Sequence, residues 1–114
     1  MRLVYDCSCR QLSQTPSLND CLVAGPSLLN DIPALLPQFR LHQFAVSTDI
    51  EKAFLHVGLA EEDRDFTRSF WLHDTDDPDG PMDIYQFKVV LFGATSSSFM
   101  LHAAINKQLS DATS

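Results

Sequence analysis

Two β-forming runs, residues 66–72 and 82–91, flank the polar segment Asp74-Thr75-Asp76-Asp77-Pro78-Asp79-Gly80, and this pairing constrains the fold more than any other feature. A Pro/Gly-containing loop between two such runs reads as a hairpin connection, so an antiparallel pair is expected at the centre of the chain. On its N-terminal side, Leu28, Leu29, Ile32, Leu35, Leu36 and Phe39 recur at spacings of three and four, which predicts an apolar helix face after the turn Gly25-Pro26-Ser27. Pro33 and Pro37 interrupt it, so a kinked helix or two short pieces is expected. On the C-terminal side, Gly93 to Ser97 is a small-residue bend. Phe99, Met100, Ala103 and Ile105 then predict a second helix, with Ser97 or Ser98 as cap.

Three further segments complete the reading. Residues 44–48 form a compact strand candidate ending at Asp49, followed by a turn of helix through Glu51 to Phe54. Leu55, Val57 and Leu59 alternate as a strand does, and residues 2–5 have the character of a short strand before the loop at 6–19. There is no internal repeat, low-complexity tract or linker. A chain of 114 residues with 45% hydrophobic and 20% charged side chains fits one piece of one domain.

The net charge of -7, from 15 acidic against 8 basic residues, lacks the basic footprint of a free-standing nucleic-acid binder. No window approaches the roughly 18 apolar residues of a membrane span, and the first residues have no apolar run, so neither a transmembrane segment nor a signal peptide is expected and an intracellular location is expected with no particular compartment indicated. Cys7, Cys9 and Cys21 are an odd set, which suits reduced thiols. Cys7 and Cys9 are too close for a zinc knuckle, with His42 the nearest histidine.

Among the chemistry-bearing residues, Asp49 stands out. A carboxylate at the end of an apolar strand can hold a hard cation such as magnesium. An aspartate before a helical turn is also a common N-cap, and the sequence leaves both roles open. The acidic loop 74–80 does not have calcium-loop spacing: counted from Asp74, the sixth and twelfth positions are Asp79 and Tyr85 where glycine and glutamate are needed. The four histidines have no paired helical spacing, Ser96-Ser97-Ser98 has no nucleophile-elbow glycines, and the four glycines form no phosphate loop.

Taken in order, three segments resemble the reverse transcriptases of long-terminal-repeat retrotransposons, most closely the BEL/Pao class. They are Arg2-Leu3-Val4-Tyr5-Asp6 with Ser17-Leu18-Asn19-Asp20, then Thr48-Asp49-Ile50-Glu51-Lys52-Ala53-Phe54, then Tyr85-Gln86-Phe87-Lys88-Val89-Val90-Leu91-Phe92-Gly93-Ala94-Thr95-Ser96-Ser97. The resemblance implies an α+β fold, the fingers and partial palm of a right-hand polymerase. Residues 1 to about 40 would lie on the fingers side and about 41–114 in the palm.

It also implies roles. Asp49 would be the catalytic, metal-binding aspartate, assisted by the backbone carbonyl of Ile50, with Mg2+ (or Mn2+) as cofactor in the complete domain. Arg2 would contact the incoming triphosphate, and backbone amides of Lys52 and Ala53 would meet its phosphates. Phe54 would be the aromatic gate excluding a ribose 2′-OH, with Phe92 and Gly93 lying against the nucleotide; Phe54 and Phe92 serve equally well as core residues. Partners implied are an RNA or DNA template-primer, deoxynucleoside triphosphates and the remainder of a retroelement polyprotein, with no membrane.

The sequence departs from the family's pattern twice. Ser98 stands where many members have proline, and the tyrosine-x-Asp-Asp hairpin expected beyond the last helix is not among these residues. Two-metal phosphoryl transfer needs carboxylates on both sides of the ions, so this segment alone is expected to be poorly active or inactive. The competing reading is a non-catalytic retroelement relic that binds nucleotide or partner weakly at most.

Overall fold

The computed structural model describes residues 4–114, so Arg2 and the start of the first strand candidate lie outside the described residues. Val4 and Tyr5, which are described, belong to no strand.

The central hairpin forms. Strand β1 (Ser69–Leu72) pairs antiparallel with β2 (Met82–Tyr85), with Ser69 opposite Tyr85 and Leu72 opposite Met82. The His73 amide continues the ladder by donating to the Pro81 carbonyl at 3.0 Å. In the loop, the Asp76 amide donates to Asp74 Oδ1 at 2.9 Å and the Gly80 amide to the Asp77 carbonyl at 3.1 Å.

Both strands are shorter than the β-forming runs, and Thr67 explains why. Phe66 and Thr67 close a 3-10 helix, Glu61–Thr67, in which the buried Thr67 hydroxyl donates to the Arg64 carbonyl at 2.6 Å. The same oxygen accepts the Phe87 amide at 2.9 Å. That side chain takes the position of a strand partner, so β2 stops at Tyr85. Residues beyond it turn to a different neighbour: Gly58 bridges Val89, Leu59 donates to the Lys88 carbonyl, and Val90 to the Val57 carbonyl, both at 2.9 Å. The run 82–91 is therefore one β-rich sequence shared between two partners. The expected strand through Leu55, Val57 and Leu59 is reduced to this bridge, preceded by a 3-10 helix at Ala53–His56.

The N-terminal loop ends in one helical turn, α1 (Leu18–Cys21), closed by a capping box: Ser17 Oγ accepts the Asp20 amide and Asp20 Oδ2 accepts the Ser17 amide at 2.7 Å. Those bonds from Ser17, its backbone amide first and its hydroxyl second, hold the Asp20 carboxyl below the ordinary carboxylate value, with Arg10 at 2.9 Å adding to the effect.

The apolar helix begins later than its periodicity suggests. Helix α2 (Ile32–Arg40) follows Asp31, with Pro33 in the first turn, where a missing N–H costs nothing, so Leu28 and Leu29 stay outside. Pro37 lies inside a single nine-residue helix, so of the two expected outcomes, a kinked helix or two short pieces, the second does not occur. Helix α3 (Ser97–Ala112) forms as expected, but neither Ser97 nor Ser98 is its cap. The N-cap position is Ser96, and Ser97 instead turns inward to donate to the Leu91 carbonyl at 2.6 Å.

The strand expected at residues 44–48 does not form. The segment has no regular structure, with Phe44 82% and Val46 87% exposed. A β-forming sequence without a neighbouring strand has nothing to receive its amides and carbonyls. The apolar face of α2 is likewise open to solvent, including Leu36 and Phe39.

Burial is concentrated where Cys7, Val90 and Leu91 meet the start of α3. The accessible surface is 9796 Å² and the radius of gyration 18.9 Å. A compact chain of this mass has about 6300 Å² and a radius near 13 Å. The molecule is thus extended, with a tight nucleus and loosely attached flanks. No helix among the described residues is long and apolar enough to cross a membrane.

Gly25 fixes one of those flanks to α3. Its φ is +76°, and a Cβ there would lie 2.6 Å from Phe99 Cγ. Gly25→Ala is expected to destabilise the protein by about 1–3 kcal/mol, read as a lower melting temperature, because both backbone and space are wrong for alanine.

The capping box makes a pH prediction. A carboxyl held low in the folded state contributes stability above its unfolded pKa and loses it as pH falls through the folded value. The stability difference between wild type and Asp20→Asn should therefore be full at neutral pH and shrink on acidification below the ordinary carboxylate range, as followed by urea melts.

Candidate functional site

Of the residues singled out by the family resemblance, Lys52, Ala53, Phe54, Phe92 and Gly93 gather around the nucleus just described and Asp49 and Ile50 do not, while Arg2 lies outside the described residues. Phe54 sits in the 3-10 helix Ala53–His56, against which α3 packs, and Phe92 follows the buried pair Val90 and Leu91. Their rings meet edge to face, centroids 5.1 Å apart at 73°. Such a pair contributes about 0.5–1.5 kcal/mol beyond the area it buries. Phe92 remains 54% exposed, so the pair forms a surface shelf and is not a closed core contact.

Backbone conformation at the two ends of the shelf is unusual. Gly93 has φ +85°, and a Cβ there would reach the Tyr5 carbonyl only at an ordinary 3.6 Å, so the left-handed backbone is what calls for glycine. Lys52, immediately before the 3-10 helix, has φ +53° and is the one non-glycine with positive φ among the described residues. A lysine there costs about 1–2 kcal/mol relative to the right-handed region. Strain of that kind is retained where a local geometry is over-determined. Lys52 Nζ reaches Glu51 at 3.3 Å, with both side chains largely exposed.

The Phe92-Gly93 turn is held from the N-terminal loop by one side chain. Asn19 Nδ2 donates to the Gly93 carbonyl at 3.0 Å, while Asn19 Oδ1 accepts the Thr95 amide at 2.9 Å. The same Nδ2 reaches Ser8 Oγ at 3.1 Å, and the Asn19 amide donates to the Cys7 carbonyl at 3.0 Å. Cys7 Sγ lies 3.8 Å from the Phe92 carbonyl. Burial, followed by the nearby Asp6, pushes the Cys7 thiol up, so it stays protonated as a weak donor. Tyr5 adds an edge-to-face contact with Phe87 at 5.4 Å.

Asp49 and Ile50 stand apart from this. Asp49 lies in the irregular exposed segment, not at a strand end, and it is not an N-cap either, because the following 3-10 helix starts after Lys52. Ile50 is 49% exposed. No three His, Cys, Asp or Glu side chains converge as a metal would require among the described residues. The donor set present, one carboxylate and a neighbouring carbonyl, does not fit a two-metal centre. The three cysteines are free, Cys9 and Cys21 at the surface.

Asn19 is the functional-site residue that sequence reasoning assigned no role. Its segment was visible, Ser17-Leu18-Asn19-Asp20, but its partners lie 74 and 76 residues away. A side-chain amide that donates and accepts at once carries no pattern identifying a partner at that distance.

No family model, no curated protein and no solved structure matches the chain.

A double-mutant cycle checks the shelf. Phe54→Ala and Phe92→Ala are expected to couple by about 1 kcal/mol in denaturant unfolding, the amount of an edge-to-face pair, whereas Phe54→Ala and Phe70→Ala should be additive.

Proposed function

We propose that this chain is the nucleotide-pocket segment of an RNA-directed DNA polymerase of the reverse-transcriptase type, belonging to a long-terminal-repeat retroelement. The observation that carries the reading is the meeting of Phe54 and Phe92, two residues of separate motifs, beside the positive-φ turn at Gly93. An exposed aromatic ledge next to a glycine turn suits the sugar and base of a nucleotide. Lys52 in the left-handed region followed by a right-handed turn presents successive backbone N–H groups in the manner of an anion-binding nest, which suits its phosphates. Phe54 then selects deoxyribose by leaving no space for a 2′-OH. Template-primer and the remaining polyprotein complete the assembly in this reading.

A second reading has an observation in its favour. Asp49 is exposed and unaccompanied by the carboxylates that nucleotidyl transfer needs among the described residues, which suits a retroelement product that binds nucleotide without catalysis.

Nucleotide titration tests the shared part. Calorimetry with dTTP and UTP should show preference for dTTP, and Phe54→Ala should reduce that preference roughly tenfold, about 1.4 kcal/mol. Absence of binding by folded protein would sink the nucleotide-pocket assignment. Primer extension on an RNA template, by the chain and by its reading frame carried beyond residue 114, separates the two readings. Extension abolished by Asp49→Asn establishes the polymerase, and no extension by folded protein leaves the binder.

A further inference from the structure

One face of the hairpin carries a second arrangement. Directly opposed residues of an antiparallel pair share a face, which places Ser69 with Tyr85 and Trp71 with Asp83 on one side. Ser69, Trp71, Tyr85, Gln86 and Phe87 line an open groove of about 400 Å³ there. Trp71 and Tyr85 are 42% and 54% exposed, so ring surface is available to a ligand. The Phe87 wall is held in place by its edge-to-face contact with Tyr5. Asp83 Oδ2 lies 2.9 Å from His73 Nδ1 and 3.5 Å from the Tyr85 hydroxyl, which ties the carboxylate to the rim of the groove.

The stretch of chain that carries this groove is predominantly acidic. From residue 69 to residue 87 the chain has five aspartates, Asp74, Asp76, Asp77, Asp79 and Asp83, and no lysine or arginine. Of the two bases that flank this stretch, Arg68 is engaged by Asp65 at 2.8 Å and Lys88, next to the groove-lining Phe87, is exposed. Aromatic faces alone stack nucleobases as readily as they attract cations. A phosphate backbone, however, would approach five carboxylates against one lysine, Lys88, so the balance of charge favours a cation.

We propose that this face binds a basic peptide segment, with an arginine guanidinium laid over Trp71 and Tyr85 and paired to Asp83. The aromatic faces supply the cation–π contact, Asp83 a charge-assisted hydrogen bond, and the aspartates of the loop the attraction that brings the peptide in. The site shares no residue with the Phe54–Phe92 shelf and does not depend on the polymerase reading.

Trp71 is the sole tryptophan, so its fluorescence reports binding directly. The full chain is titrated with an acetylated hexapeptide of alternating glycine and arginine, the same peptide with glutamine in place of arginine, and a hexamer of oligouridylate. The arginine peptide should give a saturable change and the glutamine peptide none. Asp83→Asn should weaken binding roughly tenfold, and Tyr85→Leu about fivefold with the apolar area kept and the π face removed. Asp76→Asn with Asp77→Asn, which removes more charge away from the groove, should weaken it less than Asp83→Asn. Circular dichroism and the Trp71 emission maximum of each free variant check that the hairpin persists; should Asp83→Asn lose it, Asp83→Glu replaces it, with weakening again expected. Equal affinities for all folded variants, a loop double variant as weak as Asp83→Asn, or a stronger response to oligouridylate would each overturn the proposal.

Discussion

The carboxamide of Asn19 is the group on which the ordered part of this protein depends. With one nitrogen and one oxygen it satisfies both the Gly93 carbonyl and the Thr95 amide, the backbone groups that flank the bend into α3. A turn with a left-handed residue leaves its polar groups facing outward unless something meets them. Here that partner comes from the N-terminal loop, whose own shape is set by the capping box of Ser17 and Asp20. The Phe54–Phe92 shelf follows, because Phe92 is positioned by the same turn. Removing the amide would leave the two segments joined by apolar contacts, the Tyr5–Phe87 ring pair among them, and the weak Cys7 bond.

Much of the local structure is legible in the sequence because it depends on neighbours a few residues away. The hairpin follows from two β-forming runs and a polar loop, and α3 from its apolar spacing. What is not legible is how a run is divided among partners. Residues 82–91 read as one strand, yet Thr67 intercepts the Phe87 amide and residues 88–90 turn to 57–59. The hydroxyl of Thr67 is an unremarkable surface-type group in sequence, and only its burial makes it a substitute for a strand. Ser97 offers the same lesson, since it bonds the Leu91 carbonyl and leaves the helix start uncapped.

For the site, the division is similar. The two aromatics and the glycine turn, identified from separate motifs, are adjacent in space at Phe54, Phe92 and Gly93. Lys52 and Ala53 fall at the start of the helical turn expected after Asp49, though in a left-handed entry that no spacing rule predicts. Asp49, expected at a strand end or as a cap, stands at neither position, because residues 44–48 form no strand and the following 3-10 helix starts after Lys52. Sequence shows what a segment prefers, but pairing decides whether the preference is realised.

The contact between Asn19 and Gly93 spans 74 residues, and this has a consequence for synthesis. At elongation rates of roughly 5–20 residues per second, Asn19 leaves the ribosome about 4–15 s before its partner exists. Hairpin and helix contacts close in microseconds, far inside that interval. The hairpin can therefore be complete before Asn19 has its partners, and closure of the nucleus follows it in the order of emergence. During that wait the loop is open to chaperones and proteases, so the chain's fate in a cell depends on the timing of translation as well as on its equilibrium stability.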